Sequence, residues 1–388
     1  MKSKIPLIVD AHEDLAYNKL TLGRDYSQSA EAIRRSEVES PLRTINDDTV
    51  LGWSEYQRGR VAVVFGTLFA APAHASMGAW DQVYSSVDQA YRLYQKQIDI
   101  YEELVDRHPD KFRLIYKKND LEGVLADWKE APLDDWAKDQ PNHLSEEQPE
   151  EEADEQASKR PPVGLVILME GAEGVRQVGE LEEWWKRGVR LIGPAWTGTR
   201  FCGGSHQPGP MTAEGFALLE GMAEVGFILD LTHMDEKAVL QALDAYPGQI
   251  VASHSNALAL LKGYSGNRHL SDQVIQGILE RDGVIGVVPF NAFLQAGWRR
   301  GDRRETVGLE HVVAQIDYIC QMAGDARHVG LGTDFDGGFG LQCVPPEIDT
   351  IADLQKLAPL LQEKGYSEQD VQAILGENWL ERLRRVLP

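Results

Sequence analysis

The chain has 388 residues, with 39 basic against 61 acidic side chains (net charge −22), 43% hydrophobic residues and three cysteines. That composition describes an acidic globular chain and excludes collagen-like, fibrous and disulfide-stapled classes. Its charge repels phosphate backbones and anionic headgroups, and the sequence shows no basic patch, so neither nucleic acid nor a membrane surface is expected as a partner.

The apolar run Pro6-Leu7-Ile8-Val9 reaches Asp10 too soon to form a signal core or a membrane span, so a cytoplasmic location is expected. Further short apolar runs at Val61–Phe65, Val163–Met169, Val189–Ile192, Phe227–Leu231, Ile250–Ala252, Val284–Val288 and Val329–Gly332 bring the candidate buried strands to eight. Most are separated by stretches that read as helices, such as 80–101, with apolar spacings of three and four, and 271–280, opened by Ser271 as a cap. Eight strand-then-helix units predict an α/β fold of the (β/α)8 TIM-like barrel type, with a doubly wound open sheet as the alternative and Phe112–Tyr116 as an accessory strand.

Residues 1–388 are expected to form one barrel domain, interrupted at about 133–160. From Asp134 to Glu155 ten acidic residues accompany a single basic one, Lys138, which predicts a solvated, mobile surface loop. Cys202, Cys320 and Cys343 are widely spaced with no CxxC pair, which argues against a disulfide framework and a thiolate zinc site.

In a parallel barrel the carboxyl ends of the strands open into one bowl, where active sites of this architecture lie. Strand alternation puts His12 and Asp14 on one face as a chelating pair. Glu170 directly follows the apolar run 163–169, where a carboxylate needs positive charge nearby. His233 and His254 end the fifth and sixth runs, and Asp334 follows the eighth. Singly, each has a commoner explanation as a helix cap or a carbonyl-bonded imidazole. Together, three histidines and three carboxylates on five strand ends read as a two-metal hydrolase, with mixed nitrogen and oxygen donors favouring Zn²⁺ and other divalent ions left open.

The segments Asp10-Ala11-His12-Glu13-Asp14-Leu15, Met169-Glu170-Gly171, Asp230-Leu231-Thr232-His233, Ser253-His254-Ser255-Asn256 and 328–337 resemble, in order and spacing, the successive motifs of the membrane (renal) dipeptidase family, peptidase family M19, in the amidohydrolase superfamily. The likeness runs from about residue 7 to 380, outside the acidic insertion. It implies a (β/α)8 barrel that hydrolyses dipeptides with two zinc ions, His12 and Asp14 on one metal, His233 and His254 on the other, and Glu170 bridging. By the same resemblance Asp334 would manage the proton of the attacking water, and Arg268 would clamp the carboxylate of the substrate, a task suited to a planar two-pronged donor. The implied partner is a small dipeptide or amide with a free carboxylate, and homodimers are frequent in the family.

Two positions depart from the family pattern. Trp196 stands where a histidine touches the substrate carbonyl, and an indole cannot offer an oxyanion positive charge. Phe290 stands where a tyrosine hydroxyl is often found. His206, in the glycine-rich loop after the fourth strand, and His269, beside Arg268, are candidates to supply the missing imidazole. Glu13 reads as structural, Glu173, Asp230 and Asp336 as residues that orient histidines or cap helices, and Trp184 and Trp185 as helix packing. Two rival readings stay open: a divergent amidohydrolase acting on another amide or a lactone, and a metal-containing binding protein without turnover.

Overall fold

The computed structural model describes residues 5–388 apart from 42, 77, 79, 80 and 132–159, so the acidic insertion lies outside the described residues. The eight apolar runs become eight parallel strands: β1 (Ile8–Glu13), β2 (Val61–Leu68), β3 (Val163–Glu170), β4 (Val189–Gly193), β5 (Ile228–Asp230), β6 (Ile250–Ala252), β7 (Val284–Val287) and β8 (Val329–Leu331). Neighbours in sequence are neighbours in space, and β8 pairs back onto β1 with Leu331 opposite Asp10, closing the barrel. Every residue of these strands is buried, as expected where a parallel sheet is covered on one face by helices and filled on the other by side chains.

A helix follows each strand: α1 (Leu15–Leu22), α2 (Val87–Arg107), α3 (Leu181–Lys186), α4 (Ala213–Val225), α5 (Glu236–Ala245), α6 (Asp272–Glu280), α7 (Leu309–Ala323) and α8 (Asn378–Val386). The Ser271 hydroxyl caps α6 by accepting from the Val274 amide, as its position predicted. α2 departs from the expected span of 80–101. The backbone of Val83–Tyr84 is committed to a short ladder with Ala71–Pro72, so the helix starts only after the Ser86 cap and runs on to Arg107. The accessory strand forms at Phe112–Leu114 and pairs with residues 163–165 of β3, on the edge that β4 uses only from Ile167 onward.

Helix α8 is fixed to β8 and to the turn before it. Trp379 donates its indole N–H to the Leu331 carbonyl at 2.9 Å, and Asn378 donates to the Ala326 and Val329 carbonyls. Among the described residues no helix is long and apolar enough to cross a membrane.

Two glycines tie the barrel wall to the bowl. A Cβ on either Gly286, in β7, or Gly332, just past β8, would collide with the Ser253 carbonyl, which lies against both immediately before His254. Gly332→Ala must therefore displace the segment that carries His254. Such overpacking is expected to lower unfolding stability by about 1–3 kcal/mol, read from denaturant melts.

Candidate metal centre

His12 is the penultimate residue of β1, and the β1–β2 ladder shifts register between Asp10 and Glu13, just where the chain turns into the bowl. Asp14 occupies the cap position of α1, but its side chain makes no cap hydrogen bond; it accepts instead from the Thr67 hydroxyl of β2. Glu170 is the last residue of β3, while His233 and His254 follow β5 and β6 and Asp334 follows β8. His233 (φ 67°) and Asp334 (φ 57°) both hold left-handed backbone conformations, which are uncommon outside glycine and cluster at functional sites.

These strand ends converge. The His12 Nε2 atom lies 3.7 Å from Glu170 Oε2, 3.7 Å from Asp334 Oδ1 and 4.0 Å from Asp14 Oδ2. The other Glu170 oxygen, Oε1, is 3.0 Å from His233 Nε2 and 3.5 Å from His254 Nε2. Three overlapping groups of donors result: His12 with Asp14 and Glu170, Glu170 with His233 and His254, and His12 with His254 and Asp334. Within each, the ligand atoms lie within 4.8 Å of one another.

The electrostatics of this cluster are those of a cation site. Burial, with Arg268 adding to it, brings the His12 imidazole down to about 3, and burial holds His233 and His254 well below the usual histidine range, so all three rings are neutral lone-pair donors. Burial raises Asp14 to about 6, with the charge of Asp336 adding to it, and lifts Glu170 and Asp334 well above the carboxylate range, with the charge of Asp14 adding to both. Both ring nitrogens of His12 are buried without a hydrogen-bond partner. Neutral imidazoles with orphaned nitrogens facing crowded carboxylates fit a divalent ion, which satisfies both at once.

Polar neighbours fix the rings. His254 Nδ1 lies 2.8 Å from the Ser253 hydroxyl, which donates at 2.5 Å to Asp230 Oδ2. His233 Nδ1 lies 3.0 Å from the Ser205 hydroxyl. In each case the Nε2 atom is left pointing into the cluster. Asp10 accepts from the amide and the hydroxyl of Thr333, anchoring the turn into Asp334.

A cavity of about 470 Å³ opens above the cluster and is lined in part by Asp14, Glu170, His233, Asp334, Arg268, Trp196 and Phe290. Of the metal-ligand candidates, only His12 and His254 lie beneath its surface. The Arg268 guanidinium is buried; it donates to the His254 carbonyl at 2.9 Å and to the Ser255 hydroxyl at 3.3 Å, and its Nε–H has no partner. His206 stands exposed at the cavity mouth with φ 62°. His269 is buried edge-on between Tyr264 and Phe293 with neither ring nitrogen hydrogen-bonded.

Asp230 orients His254 through Ser253, whereas Glu173 pairs with Arg200 at 2.6 Å and Asp336 with Arg24 at 2.8 Å, each away from the imidazoles. Glu13 accepts from Tyr56, Trp184 is fully buried, and Trp185 packs edge-on against Phe227. Sequence reasoning missed Thr67, Ser205, Ser253 and Thr333. The last two sit one residue before His254 and Asp334, and that adjacency was the available signal; Thr67 and Ser205 come from other elements.

The profile of the membrane dipeptidase family (Peptidase family M19) matches residues 135–387. A Klebsiella pneumoniae protein described as uncharacterised and lying in the pqqA 5′ region is 35% identical over 234 residues, which are 58% of this chain and 82% of that protein. Dipeptidase tcpJ of Claviceps purpurea is 24% identical over 342 residues, 85% of this chain and 67% of that enzyme. Among solved structures, a Rhodobacter sphaeroides metallo peptidase bound to a phosphinate mimic of the dipeptide L-Ala-D-Ala superposes with a TM-score of 0.73 at 21% identity, covering 99% of this chain and 100% of that one.

If the Ser253 hydroxyl sets the ring orientation of His254, Ser253→Ala should weaken metal binding about 10–100-fold while the fold persists. Competition against a chromophoric chelator measures this directly, and unchanged affinity would assign Ser253 to packing alone.

Proposed function

Since this chain belongs to the membrane dipeptidase family, peptidase family M19, we propose that it hydrolyses the peptide bond of dipeptides or dipeptide-like amides ending in a free carboxylate, with two divalent metal ions at the strand-end cluster. The observation that carries this reading is Glu170, whose two oxygens face different donor sets, His12 on one side and His233 with His254 on the other. His12 and Asp14 would hold one ion, His233 and His254 the second, and Glu170 both. Neutral imidazoles mixed with carboxylates favour zinc. When bound, the ions lower the pKa of water and polarise the scissile carbonyl.

The chain's own residues do the rest. Asp334 keeps 14% of its side chain exposed at the cavity and lies 3.7 Å from His12. From there it takes the proton of the attacking water and returns it to the departing amine. Arg268 offers its unpartnered Nε–H and its remaining guanidinium hydrogens to the substrate carboxylate, a charge-assisted contact strengthened by burial. Trp196 and Phe290 line the cavity with ring surface and bring no charged group to an oxyanion. On this reading residues 1–388 work as one barrel domain.

The test is turnover of metal-loaded protein on a panel of dipeptides beside matched N-acyl amino acids and lactones. Dipeptide cleavage is expected, with Asp334→Asn losing about 10²–10⁴ in kcat while metal content is retained. Turnover of acyl compounds or lactones alone would replace this reading with another amidohydrolase reaction. Arg268→Lys should raise KM for dipeptides and leave KM for the corresponding dipeptide amides little changed; equal effects on both would remove Arg268 from carboxylate recognition.

A further inference from the structure

Two groups of aromatic rings line the cavity. On one side Trp196, after β4, meets Phe69 edge-on at 5.0 Å between ring centroids, and Phe69 meets Tyr17 at 5.3 Å. On the other, Phe290 stacks on Phe339 at 4.2 Å with an interplanar angle of 13°, and Phe293 lies 4.9 Å from Phe290. Among the described residues, Arg268 is the single charged side chain of the lining outside the metal cluster, and the His206 imidazole stands at its mouth.

Arg268 fixes the direction in which a dipeptide lies. Its guanidinium sits 5.0 Å from the Phe293 ring, so a carboxylate held there places the C-terminal side chain, which branches one bond away, beside Phe293 and Phe290. The scissile carbonyl then lies over the cluster, and the N-terminal residue extends past it toward Trp196, whose ring is 6.3 Å from that of His233. A charged side chain at either place would exchange its hydration for ring faces, and among the described lining residues outside the cluster the one counter-charge, Arg268, is taken up by the substrate carboxylate, whereas a large apolar side chain gains ring contact and leaves no void.

Resting on the dipeptidase reading above, we propose that the cleft selects dipeptides with large apolar side chains at both positions, the N-terminal one read by Trp196 and Phe69 and the C-terminal one by Phe290 and Phe293. The experiment is kcat/KM of the metal-loaded enzyme on two series, Xaa-Ala and Ala-Xaa, with Xaa as Phe, Leu, Ala, Asp or Lys. Phe and Leu should exceed Ala by about tenfold or more in both series, and Asp and Lys should fall below Ala. Trp196→Ala should flatten the Xaa-Ala series and leave the ratios within the Ala-Xaa series as they were, and Phe290→Ala should do the reverse. Trp196→Phe and Phe290→Leu, which keep apolar bulk, should preserve most of each preference and so separate a lost pocket from a lost fold. Preference for small or charged side chains, or a variant that acts on the wrong series, overturns the assignment while the dipeptidase reading stands. Failure to cleave any dipeptide overturns that reading and this assignment with it.

Discussion

Three carboxylates, Asp14, Glu170 and Asp334, are crowded at the mouth of the barrel where little water reaches them, facing imidazoles that burial keeps neutral. Left alone, such a group is unfavourable: each buried charge loses hydration and repels its neighbours. Divalent metal bound there would turn the same arrangement into a stable one and give the orphaned His12 Nε2 a partner at the same time. The geometry around the cluster serves this one requirement.

The barrel meets it by bringing side chains from five strand ends to one place and locking each from behind. Thr67 holds Asp14, Ser205 holds His233, the Asp230–Ser253 pair holds His254, and Asp10 holds the turn into Asp334 through Thr333. Positive φ angles at His233 and Asp334 are strained conformations that this surrounding structure maintains. Asp336, two residues beyond Asp334, ties the same loop to Arg24, Tyr26 and Thr49, so Asp334 sits on a turn pinned at both ends.

The barrel and its metal cluster were legible in the sequence because both follow from local pattern. Strands buried on both faces are short unbroken apolar runs, and a residue placed just after such a run falls in the bowl whatever the loops do. His12, Asp14, Glu170, His233, His254 and Asp334 all obey that rule and meet as it requires. What escaped depends on pairing between distant elements. The start of α2 was set by a ladder between Val83–Tyr84 and Ala71–Pro72, and the hydroxyls of Thr67 and Ser205 reach the site from loops or strands with no sequence link to the residue they support. The aromatic lining was visible only in part: Trp196 and Phe290 stood out as departures from a family pattern, while Phe69, Phe293 and Phe339 carry no signal until the chain is folded.

On the proposed function this cluster would bind two ions, with Glu170 between them. The direct measurement is a crystal structure of the protein grown with zinc, with anomalous diffraction collected on both sides of the zinc absorption edge. Two anomalous peaks are predicted, one beside His12 and Asp14 and one beside His233 and His254, with a Glu170 oxygen on each. A single peak elsewhere in the bowl, or an empty cluster at saturating zinc, would contradict it.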